Sequence, residues 1–198
     1  MNEMERRSLD RQVRSKTLPS LELREADDGE LHISGYFAVF GSNYEIGPSM
    51  SESIAPGAFL GILNGDIRAL INHDTTLVLG RTTAGTLKLK EDEVGLWGDV
   101  TINPNDSDAM NTYQRVLRGD VNQCSFGFRI LKEDTELRED GSVHWTLREV
   151  ELHEVSVCTF PAYEATNVTA RSEQLAEIRE RETEAWRTKM KERIASWH

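Results

Sequence analysis

Short runs of β-forming residues, separated by turn residues, fill the chain between residues 20 and 170. Leu21–Ala26 and Leu31–Phe40 flank Asp27-Asp28-Gly29, and an Asp-Gly pair between two such runs is typical of a hairpin. Further strand-like runs are Ile67–Ile71, Leu87–Leu89, Gly95–Ile102, Val121–Leu131 and Val143–Val157. The pattern predicts at least six strands in this region.

Two segments between these runs have helical patterns. Pro56–Leu63 is followed by Asn64-Gly65, a plausible C-cap, and the segment after Asp106 has apolar residues on one face and ends at Gly119. We therefore predict a mainly β fold with peripheral helices, an α+β domain with a β-barrel-like core that carries helices on its outside.

The composition changes at both ends of the chain. Residues 1–19 are polar and charged, which predicts a flexible N-terminal arm, and residues 20–170 form the folded domain. In residues 171–198, large apolar side chains recur at helical spacing among alternating charges, which predicts an amphipathic C-terminal helix. These side chains are Leu175, Ile178, Trp186, Met190, Ile194 and Trp197. The helix could pack on the domain or dock on another protein, and the sequence leaves both possibilities open.

The charge and the apolar content exclude several classes of protein. The net charge is −11, and residues 21–170 carry 11 Lys and Arg against 25 Asp and Glu, so this body would repel a nucleic-acid backbone. Long apolar runs typical of membrane spans are missing, and the N-terminus has no secretion-signal pattern. Cys124 and Cys158 fit buried residues in a reducing compartment, and no Cys or His pair has the spacing of metal ligands. We expect neither a cofactor nor a metal.

Three polar groups stand in apolar, strand-like surroundings. His73 ends one run, Ser125 lies inside another, and His153 and Glu154 lie side by side in the last. A serine hydroxyl becomes a good nucleophile when an imidazole takes its proton, and the imidazole needs a partner that fixes its tautomer. Adjacent strand residues point to opposite faces, so one of His153 and Glu154 could reach His73, and alternation does not decide which. Each of these residues could also be purely structural.

At these residues the chain resembles the prohead maturation proteases of tailed bacteriophages. The resemblance covers about residues 31–170 and depends on several motifs that occur in order. They are Gly35–Phe40, Ile54–Phe59, Asn72-His73-Asp74 with Leu79-Gly80, Gly95-Leu96, Val116–Gly119, Ser125–Phe128, and Glu154–Val157 with Pro161-Ala162.

The resemblance implies a fold similar to the herpesvirus capsid-assembly protease, a β-barrel ringed by helices. It also implies that His73 is the general base and Ser125 the nucleophile. The herpesvirus relatives use a second histidine as the third member, which would favour His153. The phage pattern has its acidic residue in the Glu-Val-Ser position, so we assign the third role to Glu154.

The implied function is that of a serine endopeptidase inside the procapsid. Its substrates would be the scaffold or the scaffolding segment of the major capsid protein, with cleavage of itself and possible self-association. It would act in the host bacterial cytoplasm, within the assembling shell, and would not be secreted or bind nucleic acid or membrane.

The main alternative is a non-proteolytic capsid-assembly or scaffold protein of the same fold. A small esterase would use the same triad, although an α/β-hydrolase is disfavoured because alternating βα units and a Gly-x-Ser-x-Gly elbow are missing. A cysteine hydrolase using Cys124 is disfavoured because Cys124 points away from the face of Ser125.

Overall fold

The computed structural model of the chain describes residues 12–16, 21–25, 29–61, 63, 65–160 and 165–195. These residues contain eleven strands in two sheets, two α-helices and a short 3₁₀ turn at Thr82–Ala84. The prediction of a mainly β protein with few helices is therefore confirmed.

The larger sheet has seven strands and mixes parallel with antiparallel pairs. Its main path runs β1-β10-β11-β5-β4, and β11 also pairs with β6, which pairs with β7. The strands are β1 Gln12–Lys16, β4 Tyr44–Gly47, β5 Met50–Ile54, β6 Arg68–Ile71, β7 Asp74–Arg81, β10 Gln123–Leu137 and β11 Val143–Cys158.

The smaller sheet has four antiparallel strands in the order β2-β3-β9-β8. They are β2 Glu22–Glu25, β3 Leu31–Val39, β8 Leu87–Glu91 and β9 Gly95–Ile102. β2 and β3 form the predicted hairpin, with Glu25 opposite Leu31.

The long strand β11 organises the larger sheet. Its first part, Val143–Leu147, pairs in parallel with β5, and its last part, Glu154–Val157, pairs in parallel with β6. Its other edge pairs with β10 in an antiparallel ladder that runs from Val143 to Cys158 with three irregularities. β11 therefore lies between β10, which carries Ser125, and β6, which leads into His73.

The main hydrophobic core draws residues from both sheets. Ile33 and Val100 of the smaller sheet and Phe126 and Phe128 of β10 are fully buried members of one cluster. The rings of Phe126 and Phe128 stack with their centroids 4.8 Å apart. Alternation along β10 therefore turns the even-numbered residues from Cys124 to Phe128 into this core and leaves Ser125 on the opposite face.

The helix predicted after Asp106 is confirmed as α1, Ser107–Arg118. The Asp106 side chain caps its N-terminus by accepting hydrogen bonds from the backbone N–H groups of Asp108 and Ala109, and Gly119 ends it with a φ of 84°.

The helix predicted at Pro56–Leu63 is wrong, because the described residues of this segment form turns. Gly57 has a φ of 92°, outside the helical region, and the Glu91 carboxylate accepts hydrogen bonds from the N–H groups of Gly57 and Phe59 at 2.6 and 3.0 Å. A side chain distant in sequence thus satisfies two backbone donors of this turn.

The second helix, α2 Ala165–Ala195, begins earlier than the amphipathic pattern indicated. Leu175 and Ile178 pack on a second hydrophobic cluster that contains Met50 and Trp145. Trp186 is 60% exposed. The start of the predicted docking segment therefore belongs to the folded domain, whereas its later part presents a large apolar side chain to solvent. The side chains of Ile194 and Trp197 lie outside the described part.

The sheets and the N-terminal strand differ from the architecture that the sequence predicted. Within the described residues the strands form two sheets and do not close into the single barrel that was predicted, and α1 and α2 do not make a ring of helices. Residues 12–16, placed by the sequence in a flexible arm, form β1 along β10. Among the described helices, none combines the length and apolarity that crossing a membrane requires.

Candidate active site

His73 occupies an unusual backbone conformation in a two-residue hairpin loop. Ile71 of β6 lies opposite Asp74 of β7, so Asn72 and His73 form the loop, with φ values of 50° and 63°. Positive φ at both loop positions is the feature of a type I′ turn, which favours Asn at the first position and Gly at the second. Histidine therefore stands where the backbone would prefer glycine, at some cost in strain.

The loop is tied to β11 at two points and to Thr159, the residue after β11, at a third. The N–H of Asn72 donates to the Val157 carbonyl at 3.0 Å, and the Asn72 side-chain oxygen accepts from the N–H of Thr159 at 2.9 Å. The N–H of His73 donates to the Ser156 hydroxyl at 3.3 Å. These contacts fix the left-handed turn and aim the His73 side chain over the end of β11.

The imidazole of His73 meets the carboxylate of Glu154. His73 Nδ1 lies 2.8 Å from Glu154 Oε1, and the second carboxylate oxygen accepts a hydrogen bond from the Ser156 hydroxyl at 2.5 Å. Because an ionised carboxylate can only accept, Nδ1 carries the proton and Nε2 is the nitrogen left to act as a base. Glu154 is 3% exposed, so these contacts stabilise a carboxylate that would otherwise be costly to bury.

Asp74, the sequence neighbour of His73, is engaged elsewhere. Its Oδ1 accepts hydrogen bonds from the N–H and the hydroxyl of Thr76 at 2.8 and 2.6 Å. These bonds stabilise the charged form and lower the pKa of Asp74 below its ordinary value. Glu154 rather than Asp74 is the acid that contacts His73.

Ser125 lies on the strand next to Glu154 and faces the same side of the sheet. In the antiparallel ladder of β10 and β11, Ser125 is opposite Ser156, and Gly127 is opposite Glu154. Opposed residues of such a pair project to the same face, and so do residues two apart on one strand. Ser125, Glu154 and Ser156 therefore share one face, with the His73 loop beside it. Ser125 is completely buried, whereas the His73 side chain is 14% exposed and brings the site to the surface.

Cys158 is a further neighbour of His73 that the sequence did not associate with the site. Its Sγ lies 3.6 Å from His73 Nε2. Burial raises the pKa of the Cys158 thiol to about 12, so it is uncharged at neutral pH and poorly suited as a nucleophile. Burial also raises the pKa of Cys124, whose side chain lies in the core. Within the described residues, His, Cys, Asp and Glu side chains form no group of three that could hold a metal ion.

The structure thus places Ser125 and Glu154 on one face of the larger sheet, with His73 in contact with Glu154. His153 is half-buried and lies at an irregularity of the β10–β11 ladder, where Gly127 is opposite Glu154 and Phe128 is opposite Leu152. Sequence reasoning missed the contacts of Ser156, Cys158 and Asn72 with this site. The i, i+2 and i, i+4 spacing of Ser156 and Cys158 from Glu154 was the available signal, but it became useful only once the ladder register was known.

Comparison with known proteins shows the family of the chain. A family model described as caudovirus prohead serine protease matches residues 19–181. The prohead protease of Enterobacteria phage HK97 is 31% identical over 163 residues, which cover 80% of this chain and 68% of the relative. The capsid assembly protease of bacteriophage T4 resembles the structure with a TM-score of 0.50 at 10% identity, over 75% of this chain and 98% of the other, a likeness of fold alone. The extent of the first two matches establishes that the chain belongs to the caudovirus prohead serine protease family.

Proposed function

We propose that the protein is a serine endopeptidase with a Ser125-His73-Glu154 triad that acts during maturation of the phage head. The observation that carries this proposal is the 2.8 Å contact between His73 Nδ1 and Glu154 Oε1, made on the sheet face to which Ser125 projects. A base oriented by a buried carboxylate next to a serine hydroxyl is the arrangement that acyl transfer requires.

In the proposed mechanism each residue has one task. Glu154 holds the Nδ1 proton, so His73 Nε2 can accept the Ser125 hydroxyl proton as Oγ attacks a peptide carbonyl. The same imidazole then delivers that proton to the leaving amine, which leaves an acyl group on Ser125. A water molecule, deprotonated by His73, hydrolyses the ester and restores the enzyme. The substrate would enter from the side of His73, the exposed member of the three.

The proposed substrates are the scaffold or the scaffolding segment of the major capsid protein, together with the protease itself. The family and the names of the two relatives support a role in capsid assembly, and the reaction would take place inside the procapsid in the host cell. The exposed end of α2 with Trp186 is the proposed site of contact with capsid or scaffold protein.

Co-expression with the neighbouring capsid and scaffold proteins tests this function. We expect the wild type to shorten one of these proteins, and itself, as measured by intact mass, whereas Ser125→Ala leaves every chain at full length. Ser34→Ala removes another buried serine hydroxyl, in the smaller sheet, and should behave as the wild type. Equal processing with Ser125→Ala would refute the proposal. Normal assembly without any cleavage by the wild type would favour the non-proteolytic assembly protein instead.

A further inference from the structure

The Ser156 hydroxyl bridges two members of the proposed triad. It donates to Glu154 Oε2 at 2.5 Å and accepts from the N–H of His73 at 3.3 Å. A hydroxyl has one proton and two lone pairs, so Ser156 can make both bonds at once. Its side chain is completely buried, which shields both bonds from competing water.

The first bond fixes the plane of the Glu154 carboxylate. One oxygen contacts His73 and the other contacts Ser156, so the planar group is held at both ends. Gly127, opposite Glu154 in the ladder, has no side chain that could do this from β10. Without the Ser156 hydroxyl, the carboxylate could rotate about its last bond and move Oε1 away from Nδ1.

The second bond acts on the backbone of His73. This residue has a φ of 63°, which a residue with a Cβ adopts at a cost. Its N–H donates to the Ser156 hydroxyl at 3.3 Å, while the neighbouring Asn72 N–H donates to the Val157 carbonyl at 3.0 Å. Ser156 therefore satisfies a donor that the strained loop creates, and it sets the point from which the imidazole projects.

We infer that Ser156 is a positioning residue of the site, which holds the Glu154 carboxylate and the His73 loop in the geometry that proton transfer from Ser125 needs. This inference rests on the proposed function, because the proposed function assigns His73 and Glu154 the catalytic roles that Ser156 would support. Ser156 does not itself take part in bond making, because its proton is engaged by Glu154 and it meets His73 through the backbone N–H rather than through Nε2.

The experiment compares Ser156→Ala with Ser34→Ala in the full-length protein, using cleavage of a peptide that the wild type processes. We expect Ser156→Ala to lower kcat by about 10- to 100-fold with KM changed less than about twofold, because a small misplacement of a catalytic group slows the chemical step. Ser156→Thr keeps the hydroxyl and should recover part of the loss. Ser34→Ala should keep the wild-type kcat.

A double-mutant cycle separates positioning from general loss of structure. If Ser156 acts through Glu154, Ser156→Ala should cost less than about threefold when Glu154 is already Gln. The same factor in both backgrounds would overturn positioning through Glu154, and a loss equal to that of Ser34→Ala would overturn the inference as a whole.

A spectroscopic measurement keeps the inference testable if the proposed function fails. The Nδ1 proton of His73, shared with a carboxylate, should give a downfield proton resonance in the wild type and in Ser34→Ala, and Ser156→Ala should shift or broaden it. An unchanged resonance would show that Ser156 does not position the pair, even if Ser125→Ala abolishes cleavage. A shifted resonance in a protein that cleaves nothing would uphold the positioning and reject the protease.

Discussion

Replacing Glu154 with glutamine removes one charge from the site and little else. Gln has the same length as Glu and can still accept the hydrogen bond from Ser156, but it does not stabilise an imidazolium and can hold His73 in the wrong tautomer. Such a substitution in a serine protease triad lowers kcat by on the order of 10³- to 10⁴-fold, which corresponds to about 4–5.5 kcal/mol of transition-state stabilisation. We expect Glu154→Gln to lose activity within this range.

Two control variants make this prediction specific. His153→Gln changes the adjacent side chain, at an irregularity of the ladder, and Glu52→Gln changes another buried carboxylate, 1% exposed, in the same sheet. Both should keep activity within about threefold of the wild type, which is about 0.7 kcal/mol or less. The assay is the rate of peptide cleavage at saturating substrate, with the thermal midpoint of each variant as a check on folding. If His153→Gln lost more activity than Glu154→Gln, a histidine-type triad would be correct and the assignment of Glu154 would be wrong.

Three other predictions follow from the described contacts. His144 contacts the hydroxyls of two serines on β5, and burial lowers its pKa. Below about pH 6.5 the unfolded chain therefore takes up a proton that the folded chain resists, so the unfolding free energy should fall between pH 7 and pH 5. His144→Gln should flatten this slope in denaturant titrations, and an equal slope in the variant would contradict the prediction. A chain that ends at Ala170 loses the helix residues that pack with Trp145 and should melt at a lower temperature. A chain that ends at Arg181 should match the full chain in melting temperature and in cleavage of free peptide, but it should fail to co-assemble with capsid or scaffold protein. Normal co-assembly of this shorter chain would reject docking through Trp186. Cys158→Ala should keep peptide cleavage within about threefold, because the protonated thiol is not the nucleophile, and a loss beyond about 100-fold would assign it a role in the reaction.

The sequence predicted the strands whose residues carry a clear pattern. β3, β6, β8, β9, β10 and β11 follow apolar runs, and the helix after Asp106 has both of its caps in the sequence. β1, Gln12–Lys16, contains one apolar residue, and its pairing with β10 depends on a partner more than 100 positions away, which no local pattern reveals. The segment after Pro56 turns instead of forming the expected helix, with Gly57 at a φ of 92° and with hydrogen bonds to Glu91, a residue distant in sequence.

The candidate site shows the same division between local and distant information. The sequence and the family resemblance proposed His73, Ser125 and Glu154, and Glu154 was chosen over His153 on the phage pattern because alternation along the strand did not decide between them. In the structure the carboxylate of Glu154 contacts His73 Nδ1. Ser156 could not be assigned in advance, because its contacts require both the left-handed loop at His73 and the ladder of β11 to be known.

The most direct test of the account is to identify the residue that a small fluorophosphonate modifies. The reagent forms a covalent bond with a serine whose hydroxyl is activated by a neighbouring base. Peptide mapping by mass spectrometry should place one adduct on Ser125 in the wild type and none in His73→Ala. An adduct on Ser156, or the same labelling of Ser125 without His73, would contradict the triad proposed here.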